Sequence, residues 1–430
     1  MNNSKKDSNT SITIDPSRLA RRLGTSEAVI IGLGSMIGAG IFAAAGPAAS
    51  AAGSGLLIGV LIASCIAFLN AATMAQLAAI FPESGGAYVY GRKRLGPIWG
   101  FLAGWGFVVG KLASCAAMAL TFAYYAFPEF ARTIAVGAVL LLTFINYLGV
   151  KKTALVTKIL VTIVLCSLAV VAFASLGGGS VDFGRLSGWT DRGGVEGILE
   201  AAGLMFFAFA GYARIATLGE EVVEPKKTIP RSIIIALSIT LAVYIIIITA
   251  AVLTVDMNVL ANAKAPLTLA VESGRFSGFA PVVRIGACFA SLGVLLSLMA
   301  GVSRTAFAMA ANRDLPHQLS SVHPLHKVPH RAELTVGIIV AAVVSIADLR
   351  SAIGFSSFAI LTYYSIANIA AWTLEKDQRL WPKWMSLAGI IGCITVAFHL
   401  PKVSVIGGIV LFAIGLAVYF LCQRSRESKS

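Results

Sequence analysis

The chemistry this chain offers lies first in its backbone. Two glycine-interrupted stretches stand inside apolar runs, Gly34-Ser35-Met36-Ile37-Gly38-Ala39-Gly40 and Phe206-Phe207-Ala208-Phe209-Ala210-Gly211, about 170 residues apart. A helix broken at such a point leaves N–H and C=O groups without intrahelical partners, which a bilayer tolerates only where they line a cavity or bind something. A half-helix starting at Gly38-Ala39-Gly40 presents free N–H groups and the positive end of its dipole, suited to a carboxylate. Free carbonyls in both breaks suit an ammonium group. Taken singly, such glycines serve close helix packing. A matched pair, one in each half of the chain, is the pattern of a substrate site near the bilayer midplane.

Ionisable side chains within apolar spans are functional candidates by default. Lys111 lies about 12 residues into an apolar run, roughly 18 Å along a helix at 1.5 Å per residue, and so near the midplane. Arg214 follows the second break by three residues and faces either the same cavity or a clamp to Glu220 or Glu221. Glu220, Glu221 and Glu224 read as a solvated or gate-lining loop rather than a catalytic pair. His323, His326 and His330 have spacings that would suit imidazole ligation, but no cysteine or carboxylate completes a set, and no metal or other cofactor is expected. Gly32, Gly34 and Gly38 match a dinucleotide fingerprint poorly: the spacing is one residue too long and no strand precedes it. The six cysteines are scattered singly, as packing residues are. No midplane cluster of His, Asp or Cys supports an enzyme.

The elements that position these groups follow from composition. The chain is 57% hydrophobic and 13% charged, with mean hydropathy +0.84, whereas soluble domains carry about 25% charged residues. At about 20 apolar residues per crossing, twelve helices fall near 27–52, 55–80, 98–126, 133–149, 153–176, 196–218, 232–255, 279–311, 334–349, 352–374, 384–399 and 403–422. Residues 1–26 and 423–430 are polar tails, and the first lacks the pattern of a cleavable signal peptide. With both termini cytoplasmic, inner segments carry 24 Lys and Arg and outer loops eight, the positive-inside asymmetry. The net charge of +14 therefore reports orientation rather than a nucleic-acid partner. Each broken helix opens a set of five, so 27–176 and 195–374 form two repeats. An odd number inverts the second relative to the first, and helices within 384–422 stand outside the repeat.

Several local patterns occur in order along residues 27 to 375. They are Gly32-Leu33-Gly34-Ser35-Met36-Ile37-Gly38-Ala39-Gly40-Ile41-Phe42; Phe81-Pro82-Glu83-Ser84-Gly85-Gly86-Ala87-Tyr88-Val89-Tyr90; Gly96-Pro97 and Gly104-Trp105; Phe207-Ala208-Phe209-Ala210-Gly211-Tyr212; Gly219-Glu220-Glu221 through Pro230; and Ser303-Arg304-Thr305 through Asn312-Arg313-Asp314-Leu315-Pro316. Together they resemble the amino acid permeases of the amino acid, polyamine and organocation superfamily. The resemblance implies an all-α integral membrane protein with a leucine-transporter-like five-plus-five inverted repeat, broken first and sixth helices, and two extra helices. It implies secondary transport of amino acids across a bacterial-type plasma membrane by alternating access, through exchange or with protons as coupling ion. The substrate backbone would be held by Ile37, Gly38, Ala39, Gly40, Phe207, Ala208 and Ala210, with Phe209 as a gate over it. A polyamine or cationic amino acid exchanger belongs to the same fold, and a non-transporting receptor would share its motifs.

The chain departs from this pattern at three places. A lysine whose charge replaces sodium in sodium-independent members would fall at Val164; Gln76 and Ala213 stand where acidic residues are common. Lys111 is then the candidate for the missing positive charge.

Overall fold

A computed structural model of the chain describes residues 23–81, 83, 85–149, 154–216, 218 and 221–427. Among the described residues the chain forms seventeen α-helices. The first half holds α1 (Thr25–Met36), α2 (Ala39–Ala52), α3 (Leu56–Ile80), α4 (Ala87–Leu95), α5 (Pro97–Ala126), α6 (Ala131–Tyr147) and α7 (Ala154–Leu176). The second holds α8 (Gly194–Phe209), α9 (Ala213–Ala216), α10 (Pro225–Thr254), α11 (Met257–Asn262), α12 (Pro266–Glu272), α13 (Ala280–Ala311), α14 (His330–Ile346), α15 (Leu349–Trp372), α16 (Lys383–Phe398) and α17 (Lys402–Glu427). Among the described residues there is no strand, only an isolated bridge between Leu23 and Val222.

Nine stretches among the described residues are long and apolar enough to cross a bilayer. Their outer faces carry exposed apolar side chains, such as Leu141 and Phe144 on α6, Phe173 on α7, and Ile406 and Val410 on α17. Lipid, not water, is the solvent that accommodates such surfaces. The short helices expected near 334–349 and 384–399 are α14 and α16. The helix expected at 232–255 starts earlier, because Pro225 at its first position is pre-set for helix and lacks the N–H a helix start leaves unused. The last helix continues to Glu427, past the boundary expected at 422. The expected tail over residues 1–26 lies outside the described residues up to residue 22.

The centre of the bundle is α5, with α13 and α15 packed along it. A Ser114–Ser356 hydroxyl pair at 2.6 Å joins α5 to α15. A second polar network ties α3, α15 and α16. Thr73 donates to Asn368 Oδ1 (2.7 Å), Asn368 to Asn70 Oδ1 (2.7 Å), and Asn70 to Cys393 Sγ (3.2 Å). Against this frame lie the two interrupted helices, α1–α2 and α8–α9.

Candidate functional site

The first interruption is a true break. Ile37 (φ −79°, ψ 62°) and Gly38 (φ −120°, ψ −143°) leave helical geometry between α1 and α2, and Gly38 N–H turns back to Met36 O at 2.8 Å. The first N–H groups of α2 have no preceding turn to donate to. The second interruption is milder than the open break expected from sequence. After Phe209 the chain tightens into one 3-10 turn over Ala210–Tyr212 and resumes as α9.

The two interruptions meet. A side chain added at Gly40 would place its first carbon 2.6 Å from Ala208 Cα, and one at Gly211 would strike the Ser35 carbonyl. Only glycine at these two positions allows so close an approach. Ile37, Gly38, Ala39, Gly40, Ala208, Phe209 and Ala210 are all buried here, whereas Phe207 is half-exposed. Phe209 is fully buried, with its ring centroid 4.9 Å from that of Tyr244.

Tyrosines that sequence reasoning did not single out serve the carbonyls of both breaks. Tyr244 on α10 donates to Met36 O at 2.6 Å and lies 3.1 Å from Ala208 O. One hydroxyl proton thus stands between two carbonyls of different helices. Tyr125 on α5 donates to Phe42 O (3.1 Å) and Tyr364 on α15 reaches Ala210 O (3.4 Å). Nothing local marks Tyr244 within Ala242-Val243-Tyr244-Ile245.

On its other side the first break borders a narrow crevice lined by Gly34, Ile37, Gly38, Val164 of α7 and Val294 of α13. Val164, the position singled out for a missing lysine, therefore stands beside the break. Lys111 is not in that crevice. It sits half-buried at the midpoint of the 30-residue α5, one turn before Cys115. Arg214 on α9 is within electrostatic reach of Glu221 and of Arg304 on α13; Glu220 lies outside the described residues.

Polar ties stand at both ends of the bundle. Arg350, at the start of α15, reaches Glu200 of α8 (2.5 Å) and Ser50 of α2 (3.0 Å). At the opposite end Arg92 and Tyr88 of α4 both reach Asp314 Oδ2 at 2.8 Å, and Asn312 donates to the Tyr88 hydroxyl at 2.9 Å. Burial, reinforced by Asp314, pushes the Tyr88 phenol up to about 12, so this tie keeps its protons throughout the physiological range. Leu23 pairs with the segment after α9 (Leu23 N–H to Glu221 O 3.1 Å, Val223 N–H to Leu23 O 2.9 Å). His323, His326 and His330 gather around Tyr147. His323 Nδ1 accepts from Leu325 N–H and His326 N–H, and no group among the described residues is arranged to hold a metal.

This is a multi-pass helical membrane protein with two interrupted helices touching at its centre. The chain belongs to the amino acid permease family, whose model matches residues 23–423. It is 53% identical to an uncharacterised transporter of Mycobacterium tuberculosis, over 96% of this chain and 95% of the relative. It is 27% identical to the branched-chain amino acid permease BcaP of Bacillus subtilis, over 95% of this chain and 94% of that one. It is also 28% identical to human cationic amino acid transporter 4, over 81% of this chain and 58% of the relative. The family and these relatives are transporters rather than enzymes.

Proposed function

We propose that this permease moves an amino acid across the plasma membrane by alternating access, coupled to protons or by exchange and without sodium. The observation that carries the reading is the contact of the two interruptions at Gly40 and Ala208, with the Tyr244 hydroxyl between the Met36 and Ala208 carbonyls. The free N–H groups at the start of α2 suit the substrate carboxylate, and the carbonyls at Met36 and Ala208 suit its ammonium. Ile37, Gly38, Ala39, Gly40, Phe207, Ala208 and Ala210 would form the cradle, and Phe209 its gate. In this reading α1–α2 and α8–α9 are the first and sixth of twelve crossings. Residues 27–176 and 195–374 are inverted repeats, 384–422 lie outside them, and both termini are cytoplasmic.

Two features support the finer assignments. Lys111 is the candidate for the positive charge that apolar Val164 beside the break does not supply, so no sodium is expected. Lys111 and Arg214, when they face the path, disfavour a cationic side chain. Substrate counterflow in proteoliposomes holding the full-length protein tests the reading. Each radiolabelled amino acid is presented singly, and a neutral one should exchange at equal rates in sodium and choline buffers. Binding without counterflow for any amino acid would identify a receptor instead. Flux confined to arginine, lysine or polyamines would replace the substrate class.

A further inference from the structure

A carboxylate that plays no part in the cradle is buried at the start of α14. Glu333 is the fourth residue of that helix and only 3% exposed. Around this end of α14 pack α5, α6, α13 and the 3-10 turn His317–Ser320. From α13 come Ser303, within hydrogen-bonding reach of the carboxylate, and Arg304, within electrostatic reach. From α5 comes Cys115, which feels both Glu333 and Lys111 one turn before it. The titratable groups nearest this level on α6 and the 3-10 turn are Tyr147, whose ring packs on His330, and His317. Glu333 forms no ion pair with a described residue, and its Oε2 has no hydrogen-bond partner among them. Ser303 spends its own proton on Met299 O at 2.9 Å.

An acidic group so buried, with an acceptor oxygen unspent, is costly to keep ionised and marks a functional site in a membrane protein. Its position links it to the cradle. The helix that carries Ser303 and Arg304 also carries Val294, which closes directly on Gly38. Nine residues separate Val294 from Ser303, roughly 14 Å along α13. Adding or removing a charge at Glu333 changes how α13 is held at one point, and the same helix walls the first break at the other.

We propose that Glu333 is the proton-binding group of this carrier, its carboxylate taking up a proton that crosses with the amino acid and is released from the resulting carboxylic acid on the other side. This rests on the proton-coupled form of the reading above. The test uses full-length protein in proteoliposomes and a radiolabelled mixture of the common amino acids. Counterflow at equal pH reads binding and alternating access; accumulation driven by an inward proton gradient of one pH unit reads coupling. One proton per substrate allows up to about tenfold accumulation, since each 1.4 kcal/mol is a factor of ten. Wild type should do both, and Glu333→Gln should still exchange but accumulate no more than about onefold. Wild-type counterflow without proton-driven accumulation overturns the proton-coupled reading and the role of Glu333 with it. Accumulation that survives in Glu333→Gln overturns the assignment to Glu333 and leaves proton coupling standing. Should that variant fail to fold, Glu333→Asp decides. Its shorter side chain should move the midpoint of the pH profile of accumulation, and an unmoved midpoint removes Glu333 from the proton path.

Discussion

Enlarging Gly40 tests the cradle most directly. An added first carbon lies 2.6 Å from Ala208 Cα and 2.8 Å from Ala208 Cβ, whereas unstrained carbons sit about 3.5–4.0 Å apart. Even alanine therefore requires α2 and α8 to part by roughly 1 Å, and the obstacle is backbone rather than a flexible side chain. Overpacking of this kind costs about 1–3 kcal/mol. If that cost falls on the bound geometry, affinity drops by roughly five- to 150-fold, at 1.4 kcal/mol per decade. Valine at this position should exceed alanine. The assay is substrate-induced thermal stabilisation of purified protein, which follows binding by mass action, together with counterflow. Gly137→Ala is the control, because nothing stands within 4 Å of its added carbon. Gly40→Val with wild-type affinity, flux and expression would show that the substrate does not lie between these two helices.

Four further outcomes follow from the same geometry. Tyr244→Phe removes the hydroxyl that joins the Met36 and Ala208 carbonyls, leaving Met36 O only its bond from Gly38 N–H, which should cost about 1 kcal/mol; an unchanged melting temperature would mean the hydroxyl is dispensable. Phe209→Ala removes a fully buried ring and should impair transport more than folding, so an undiminished rate in vesicles would remove it from the gate. Lys111→Met should shift, without abolishing, the pH profile of uptake set at Glu333, while wild type needs no sodium; sodium-dependent wild-type flux, or an unaltered pH profile in the variant, would return Lys111 to a structural role. Glu200→Gln weakens the tie to Arg350 and should raise accessibility of a cysteine placed at Ser50 to a membrane-impermeant thiol reagent. Equal labelling with and without the substitution would show that the tie does not close that end.

The sequence made some of this legible and hid the rest for definable reasons. The first break was readable because Gly38 and Gly40 interrupt an apolar run, and glycine there has both a conformational and a packing use. The second is less open than its glycine suggests. Ala210 remains compatible with helix, so the chain only tightens, and Gly211 serves the approach of Ser35 instead. Phe207 was grouped with its neighbours, but adjacent residues on a helix point about 100° apart, and it turns to a half-exposed face. Tyr88 and Asp314 were visible as parts of separate motifs, whereas their hydrogen bond joins positions 226 residues apart. Arg350 and Glu200 are likewise 150 residues apart. Glu333 escaped notice because an acidic residue in the first turn of a helix ordinarily serves the helix dipole in water. Only the packing of α5, α6 and α13 around that turn removes the water.

How the interrupted helices are held bears on how they can move. Along its length α8–α9 touches α1–α2 at Gly40 and Gly211 through backbone contacts that leave no room for a side chain, and Leu23 joins the same two strands of chain again beyond α9. Contacts of that kind favour motion of the pair as one body. Apart from the approach of the Val294 side chain to Gly38, their polar attachments to the surrounding frame are of another sort: the hydroxyls of Tyr125 and Tyr364, and the Arg350–Glu200 ion pair, whose side chains are 40% and 22% exposed. A partly solvated pair is worth about 0–1 kcal/mol, and a neutral hydrogen bond about 0.5–1.5 kcal/mol. Each is weak enough to be exchanged with water within a transport cycle, while separation of the two interrupted helices would open a buried seam. The proposed cycle therefore runs by rocking the pair against α5, α13 and α15, with the cradle between the interruptions kept intact near the midplane while access to it passes from one side of the membrane to the other.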